Sequence, residues 1–535
     1  MPNLFLLIVL GVTLLLLIVV GVYVIVHFGH PDDKNDAYLP KIVVLFGFVL
    51  AFGTVLLLPL DVANGEGFVG CVGWDDIGCG GLDMALFWEI VFWTITVTLF
   101  FVIPFTSFYY ETDDFLLSSV TSDKIEKIGC GTKLKNALCW EFMVAVVIGC
   151  ILFISFTFSN QTKIPVTVMT GSSVNEAATF TFPAGSPFAI DDFEDVQTSE
   201  ITDAALASVN ESEENIEIEL TFTQFLPAIL VFLGYFFFSI FAGIGLVAIP
   251  MDLIRSYIDR PVHMDAVEYA NAQIKIRQRV NDLVAEGEEL AKTKDEDLSS
   301  LGFWERRKKS NETSAQLKQF KKNVYLLEED YDVLKLAKNY HSRFGVLFYP
   351  LKLALGVISG LISLLWIIQT AIYTLPDDPI HPFLNTYLDL LSFFPLFPVV
   401  TVLILSVYLL VCVIVGNFKF GLRIGWFTIH PMKINGTYMS SFLFNIGLIL
   451  LCAVPAVQFV VMGLTIYARY STVFQIFGTT VFYLDFFSFF FENHVFIIAL
   501  LASSGLTILY WICCKSGAGE GGKLADKIKG IASGS

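Results

Sequence analysis

The residues in this sequence best suited to chemistry are four carboxylates set against long apolar runs. Asp61 follows Pro59 at the end of one run, and Asp252 follows Pro250 at the end of another. Glu89 lies about a turn and a half inside a third run, and Asp389 opens a fourth. A carboxylate at membrane depth is costly, so it either couples ions or protons to transport or braces helices at the interface. Both readings are open here. Pro59-Leu60-Asp61 and Pro250-Met251-Asp252 repeat one short pattern. Inverted-repeat transporters produce such echoes, and so does a plain helix stop. Pro395 and Pro398 are placed to break or kink the run that Asp389 opens.

Other chemistry is sparse. The sequence has no Walker-type glycine loop, zinc-protease His pair, nucleophile elbow or paired Cys-x-x-Cys. His27 and His30 stand beside Asp32 and Asp33, and His381 follows Asp377 and Asp378. These residue types bind metals, but both groups read more simply as solvated loop residues. The expectation is a protein that is not an enzyme and needs neither metal nor cofactor. Cys71 and Cys79 share the short segment 61–83, where a bridge would add roughly 2–3 kcal/mol by loop closure. Cys513 and Cys514 close the last apolar run, a usual place for palmitoylation, and two unmodified thiols fit equally well. Asn160-Gln-Thr and Asn210-Glu-Ser are glycosylation sequons, with Asn160 the closer to an apolar run.

What must position these residues is a membrane bundle. Of 535 residues, 55% are hydrophobic and only 16% charged, against about 25% charged in soluble domains. With a mean hydropathy of +0.68, the chain lacks the polar residues needed to cover soluble cores. A soluble enzyme and a disulfide-rich secreted module are excluded, and the net charge of −18 argues against a nucleic-acid partner. Spanning a bilayer takes roughly 20 apolar residues per helix. Nine runs qualify, near 4–26, 42–60, 84–108, 142–158, 225–249, 344–370, 391–415, 442–467 and 495–513. The first has no basic flank before it and no small-x-small site after it, so it reads as a retained span rather than a signal peptide.

Lysine and arginine set the orientation. Numbering the connecting segments alternately puts 31 of the 33 basic residues on one side, leaving only Lys163 and Arg469 on the other. The N-terminus is therefore expected to be luminal or extracellular and the C-terminus cytoplasmic. Asp61, Glu89 and Asp389 then belong to the outer half and Asp252 to the inner face. The expected fold is an all-α polytopic membrane protein. Residues 1–249 form a first bundle of five spans with a luminal loop at 159–223. Residues 250–343 form a cytoplasmic helical hairpin, 344–514 a second bundle, and 515–535 a tail.

The luminal loop is acidic, with strand-like alternation at 166–170, 178–182 and 216–222. Segment 468–494 reads as another outer loop. In the hairpin, Leu317, Phe320, Val324, Leu327, Tyr331 and Leu334 form a heptad seam. The facing helix offers Ile276, Val280, Leu283 and Leu290, with Gly287 where an apolar residue is expected. Such a hairpin packs on itself or docks a cytosolic partner through 262–341. Its Trp304 and the Arg306–Lys309 cluster suit an anionic lipid surface.

Several segments resemble limb-region-type multi-span membrane proteins, most closely the lysosomal cobalamin transporter branch. They are Leu56–Val62, Ile103–Phe105 with Phe108–Asp114, Ala248–Arg255, Lys318-Gln319-Phe320, Pro350-Leu351-Lys352 and Cys513-Cys514-Lys515. The resemblance implies nine spans, a luminal or extracellular N-terminus and a large cytoplasmic loop after span five. It also implies a role in moving a small, cobalamin-like molecule from a lysosome-like lumen to the cytosol. The alternative it implies is a receptor or scaffold for a luminal or extracellular ligand of lipocalin type, which recruits trafficking or signalling partners. The membrane would be lysosomal, endosomal or plasma, and the remaining partners membrane lipids, with no nucleic acid.

Overall fold

The structure, a computed structural model, describes residues 4–34, 37–69, 82–119, 130–171, 209–258, 260, 266–295, 316–328, 330–331, 334, 343–376, 378–391, 396–420, 422–424, 427–430, 432, 436–469 and 471–514. Among them, nine helices are long and apolar enough to cross a bilayer, and the protein is an all-α polytopic membrane protein.

The chain opens with α1 (Leu4–Phe28), α2 (Tyr38–Val69), α3 (Met84–Val97), α4 (Ile103–Ser119) and α5 (Cys130–Phe158). A ribbon of β1 (Gln161–Gly171) and β2 (Val209–Glu219) follows, then α6 (Phe222–Ile258) and α7 (Ala266–Asp295). Helix α8 covers 316–328. Next come α9 (Arg343–Gln369), α10 (Phe383–Leu391), α11 (Leu396–Phe420), a small β3–β4 hairpin (Leu422–Ile424, Phe427–Ile429) and α12 (Met439–Gly463). Three short helices, α13 (Thr465–Ala468), α14 (Thr472–Gln475) and α15 (Ser488–Glu492), precede α16 (Val495–Cys514).

Span boundaries depart from the apolar runs where polar residues sit inside helices. Helix α2 continues past Pro59 and Asp61 to Val69, and α6 passes Pro250 and Asp252 to Ile258. The Pro-x-Asp pattern is therefore not a stop signal here: proline removes one backbone bond, and the rest of the ladder carries on. The third span joins α3 to α4 through a π-turn at Thr98–Val102. Pro104, just beyond it, cannot donate to the preceding turn, which widens accordingly. The seventh span is Leu396–Phe420 rather than 391–415, and Asp389 lies before it in the separate helix α10.

The contacts group the chain into two compact units. The first unit takes Met1–Phe236, Leu388–Leu403 and Met432–Phe496. Its centre is α12, apolar on every face and 89% buried across its span, against 11% for α1 and 6% for α5. Buried polar side chains there close on their own helices: Thr54 on the Leu50 carbonyl, Thr96 on Phe92 and Asn445 on Ser441.

The second unit takes Phe237–Tyr387, Ile404–Pro431 and Ile497–Ser535. Here small residues let helices touch at the backbone. A Cβ on Gly245 would collide with the Cys412 carbonyl, and one on Gly416 with that of Phe241. Ser503 and Ser504 of α16 donate to the carbonyls of Ser239 (2.9 Å) and Gly243 (3.0 Å). Ser363 of α9 hydrogen-bonds the Leu246 carbonyl (2.6 Å) and the Tyr408 hydroxyl (2.5 Å). In the same unit α7 and α8 run antiparallel, with Arg279 paired to Asp330 at 3.0 Å. A Cβ on Gly287 would meet the Phe320 ring at 3.1 Å. That gap in the apolar seam is the space Phe320 occupies.

Candidate functional site

Asp61 is the best-built polar site in the first unit. It is 1% exposed, although it sits in an apolar helix. Three N–H donors converge on its carboxylate: the Trp88 indole (2.9 Å), the Thr472 amide (3.1 Å) and the Val473 amide (2.9 Å). Trp88 reaches it because Met84, Trp88, Phe92 and Ile95 recur at helical spacing and form the buried face of α3. Thr472 and Val473 open α14, whose first N–H groups have no partner within their own helix. Ser471 caps Phe474, and Asp61 supplies the remaining acceptors from across the unit. One turn further along α2, Asn64 clasps Leu82 through two 3.1 Å bonds, side-chain amide to carbonyl and backbone amide to side-chain oxygen.

Asp61 thus anchors segment 464–494, the expected outer loop, which packs onto the unit as short helices and turns. Val473, Phe477, Val481, Leu484, Phe487 and Phe491 are all buried. Its far side is held by the ribbon: Lys163 pairs with Asp485 at 3.2 Å, the Asp485 amide donates to the Gln161 carbonyl, and the Ser159 hydroxyl donates to that of Asp485. Irregular backbone of this kind survives in a membrane protein only when other parts of the protein satisfy it.

A second carboxylate does the same work elsewhere in this unit. Asp33 accepts from the Tyr110 hydroxyl (2.8 Å) and from the amide of Met439, the first residue of α12 (3.1 Å). It is 7% exposed, so it is a buried brace and not the solvated loop residue expected. His30, beside it, stacks on Tyr438 at 4.4 Å.

The other expected residues are distributed as follows. Glu89 is exposed and does not face the interior. It follows Trp88, and one residue turns a helix by about 100°, off the buried stripe. Asp389 lies on the exposed face of α10, whose buried face carries Leu384, Asn385 and Leu388. Asn160 precedes β1, and its carbonyl accepts from Leu220 at 2.8 Å. Asn210 sits opposite Thr170 in the ribbon, whose strands include 166–170 and most of 216–222. The expected strand 178–182, Cys71 and Cys79 lie outside the described residues. Cys513 is an exposed free thiol in the last turn of α16, and Cys514 is the last residue of that helix.

Residues 6–342 match the family of LMBR1-like membrane proteins. The chain belongs to that family. It is 33% identical over 516 residues to a LIMR family protein of Arabidopsis thaliana, covering 95% of this chain and 96% of that one. A LIMR family protein of Dictyostelium discoideum is 30% identical over 530 residues, with 95% and 97% covered. A third, from Oryza sativa, is 31% identical over 518 residues, with 95% and 96% covered. No solved structure matches.

Two further features of this LMBR1-like protein bear on function. In the second unit Asp252 forms an ion pair with Lys419, the basic residue in the last turn of α11. In the first unit Glu141 of α5 is 9% exposed, and among the described residues neither carboxylate oxygen has a hydrogen-bond partner. Glu141 was legible in principle, since it stands between Trp140 and Phe142 in a helix that extends into the run at 142–158. It stands at the margin of that run, so apolar runs alone do not single it out.

Proposed function

We propose that this LMBR1-like protein is a membrane receptor or scaffold, without catalytic chemistry, that presents a ligand-binding ribbon on the luminal or extracellular side and a partner-binding helical hairpin in the cytosol. The observation that carries the reading is the use made of Asp61. The carboxylate best placed to couple ions is occupied by three N–H donors and braces α14, a static role. Glu89 and Asp389 are exposed. The orientation rests on the 31-to-2 division of basic residues. Asn210 and Asn160 are the glycosylation candidates of the outer face, Cys513 and Cys514 the acylation candidates of the inner one, and Cys71–Cys79 a clasp between spans two and three. Residues 262–341 are the surface for a cytosolic partner, and the membrane is lysosomal, endosomal or plasma.

A second reading, export of a small cobalamin-like molecule from a lysosome-like lumen, is favoured by Glu141. An unpartnered buried carboxylate in a span is the residue type that proton relays use. The two readings separate in liposomes holding a pH-sensitive dye. As a receptor or scaffold, the reconstituted protein leaks protons no faster than empty liposomes, with or without an imposed potential. A proton flux abolished by Glu141→Gln would overturn that reading in favour of coupled transport.

A further inference from the structure

The second unit holds a groove of about 730 Å3 with walls from α6, the end of α11 and α16. That volume falls within the roughly 300–1,000 Å3 range of pockets that enclose small ligands. Its lining is largely apolar, with Ile240, Ile244, Ala248, Ala499 and Ala502. Ala502 and Ser503 contribute small side chains to the lining, and the Ser503 hydroxyl donates to the Ser239 carbonyl of α6. The rim is exposed apolar surface: Leu506 is 66% and Tyr510 55% exposed. All these residues belong to helices long and apolar enough to cross a membrane, so a groove between them is expected to face hydrocarbon.

One end of the groove is different. Lys419 lines it, with Tyr510 and Trp511 beside it. Arg255 lies over the Trp511 ring at 5.7 Å and Lys419 over the same ring at 6.0 Å, so the indole gathers two cations at one mouth. Asp252 pairs with Lys419, so the mouth brings together two cations and one carboxylate. Tyrosine and tryptophan mark the headgroup level of a bilayer, and the basic end belongs to the side that carries 31 of the 33 basic residues. A basic mouth between helices at that level suits an anionic headgroup, and the apolar trough beyond it suits an acyl chain.

We propose that this groove is a binding site for an anionic phospholipid, with one acyl chain along Ile240, Ile244, Ala502 and Leu506 and the phosphate at Lys419 and Arg255. Asp252 then has a positioning role, holding the Lys419 ammonium at the mouth.

The test uses the full-length protein in phosphatidylcholine nanodiscs doped with a trace of phosphatidylserine or phosphatidylcholine bearing a diazirine on one acyl chain. After photolysis, labelled peptides are mapped. The serine lipid is expected to label 495–514 about fivefold more than the choline lipid, the factor that one basic side chain confers at a membrane surface. It should also label 495–514 more than the lipid-facing peptide 4–28. Ala502→Phe should remove the excess, and Lys419→Gln should reduce the serine lipid to the level of the choline lipid. If Ala502→Phe fails to fold, unlabelled phosphatidylserine should still displace the label from the native protein, while excess inorganic phosphate should not. Equal labelling by both lipids at the level of 4–28 would mean bulk lipid only and overturn the proposal. So would labelling unchanged by Ala502→Phe, failure of unlabelled phosphatidylserine to compete, or cross-links from 495–514 to a second copy of the chain.

Discussion

Asp61 and Glu89 are both acidic residues near the ends of spans, yet their environments are opposite. Removing the Asp61 side chain leaves three buried N–H donors without an acceptor, each costing roughly 1–3 kcal/mol. Asp61→Ala is therefore expected to destabilise the purified protein by about 3 kcal/mol or more. Trp88→Phe removes one donor and should cost about 1 kcal/mol. Glu89→Gln, on the exposed face, should stay within about 0.5 kcal/mol of the native protein. Thermal unfolding in detergent ranks the three, and an Asp61→Ala variant as stable as Glu89→Gln would remove the bracing role. The depth of Asp61 was legible in the sequence, because an acid after an apolar run is conspicuous. Its partners were not: Thr472 is 411 residues away, and the bond is made by a backbone amide that any residue type would supply. Asp33 was hidden for the same reason, with its main-chain partner Met439 406 residues distant.

At the scale of elements, apolar runs located the nine spans because each must be apolar over a bilayer thickness. They misplaced the ends of α2 and α6, since helices continue through polar residues that find partners. They also missed the packed segment 464–494, whose buried residues are spread over short helices and turns with no single period. The crossing of α6 and α11 yields a sharp prediction. Gly245→Ala and Gly416→Ala each place a methyl against a carbonyl, costing about 1–3 kcal/mol or more and lowering the yield of folded protein. Gly149→Ala, with open space around it, should leave yield and melting temperature unchanged. Size-exclusion profiles of the three variants check this, and equal profiles would mean that the helices do not meet there. In the hairpin, Gly287→Val should displace Phe320 and weaken the pairing of α7 with α8. Faster proteolysis of 266–334, with the spans left intact, would report it.

For the whole molecule, the composition alone set the class: 55% hydrophobic and 16% charged residues leave no soluble solution for 535 residues. The way the chain shares its helices between two units was not legible, because every span is apolar and periodicity does not say which spans touch. Helix α12 lies far along the chain and yet is the core of a unit built largely from the first 236 residues. The central claim is that the ribbon and the hairpin stand on opposite sides of the membrane, where a receptor or scaffold needs them. Single cysteines at positions 210 and 310, in a background cleared of other accessible thiols, test it most directly. An impermeant maleimide added to intact cells or organelles should distinguish the two positions. The account predicts that position 210 reacts only from the luminal or extracellular side and position 310 only from the cytosol. Labelling of both from the same side would contradict it and show that the intervening helices do not cross the membrane an odd number of times.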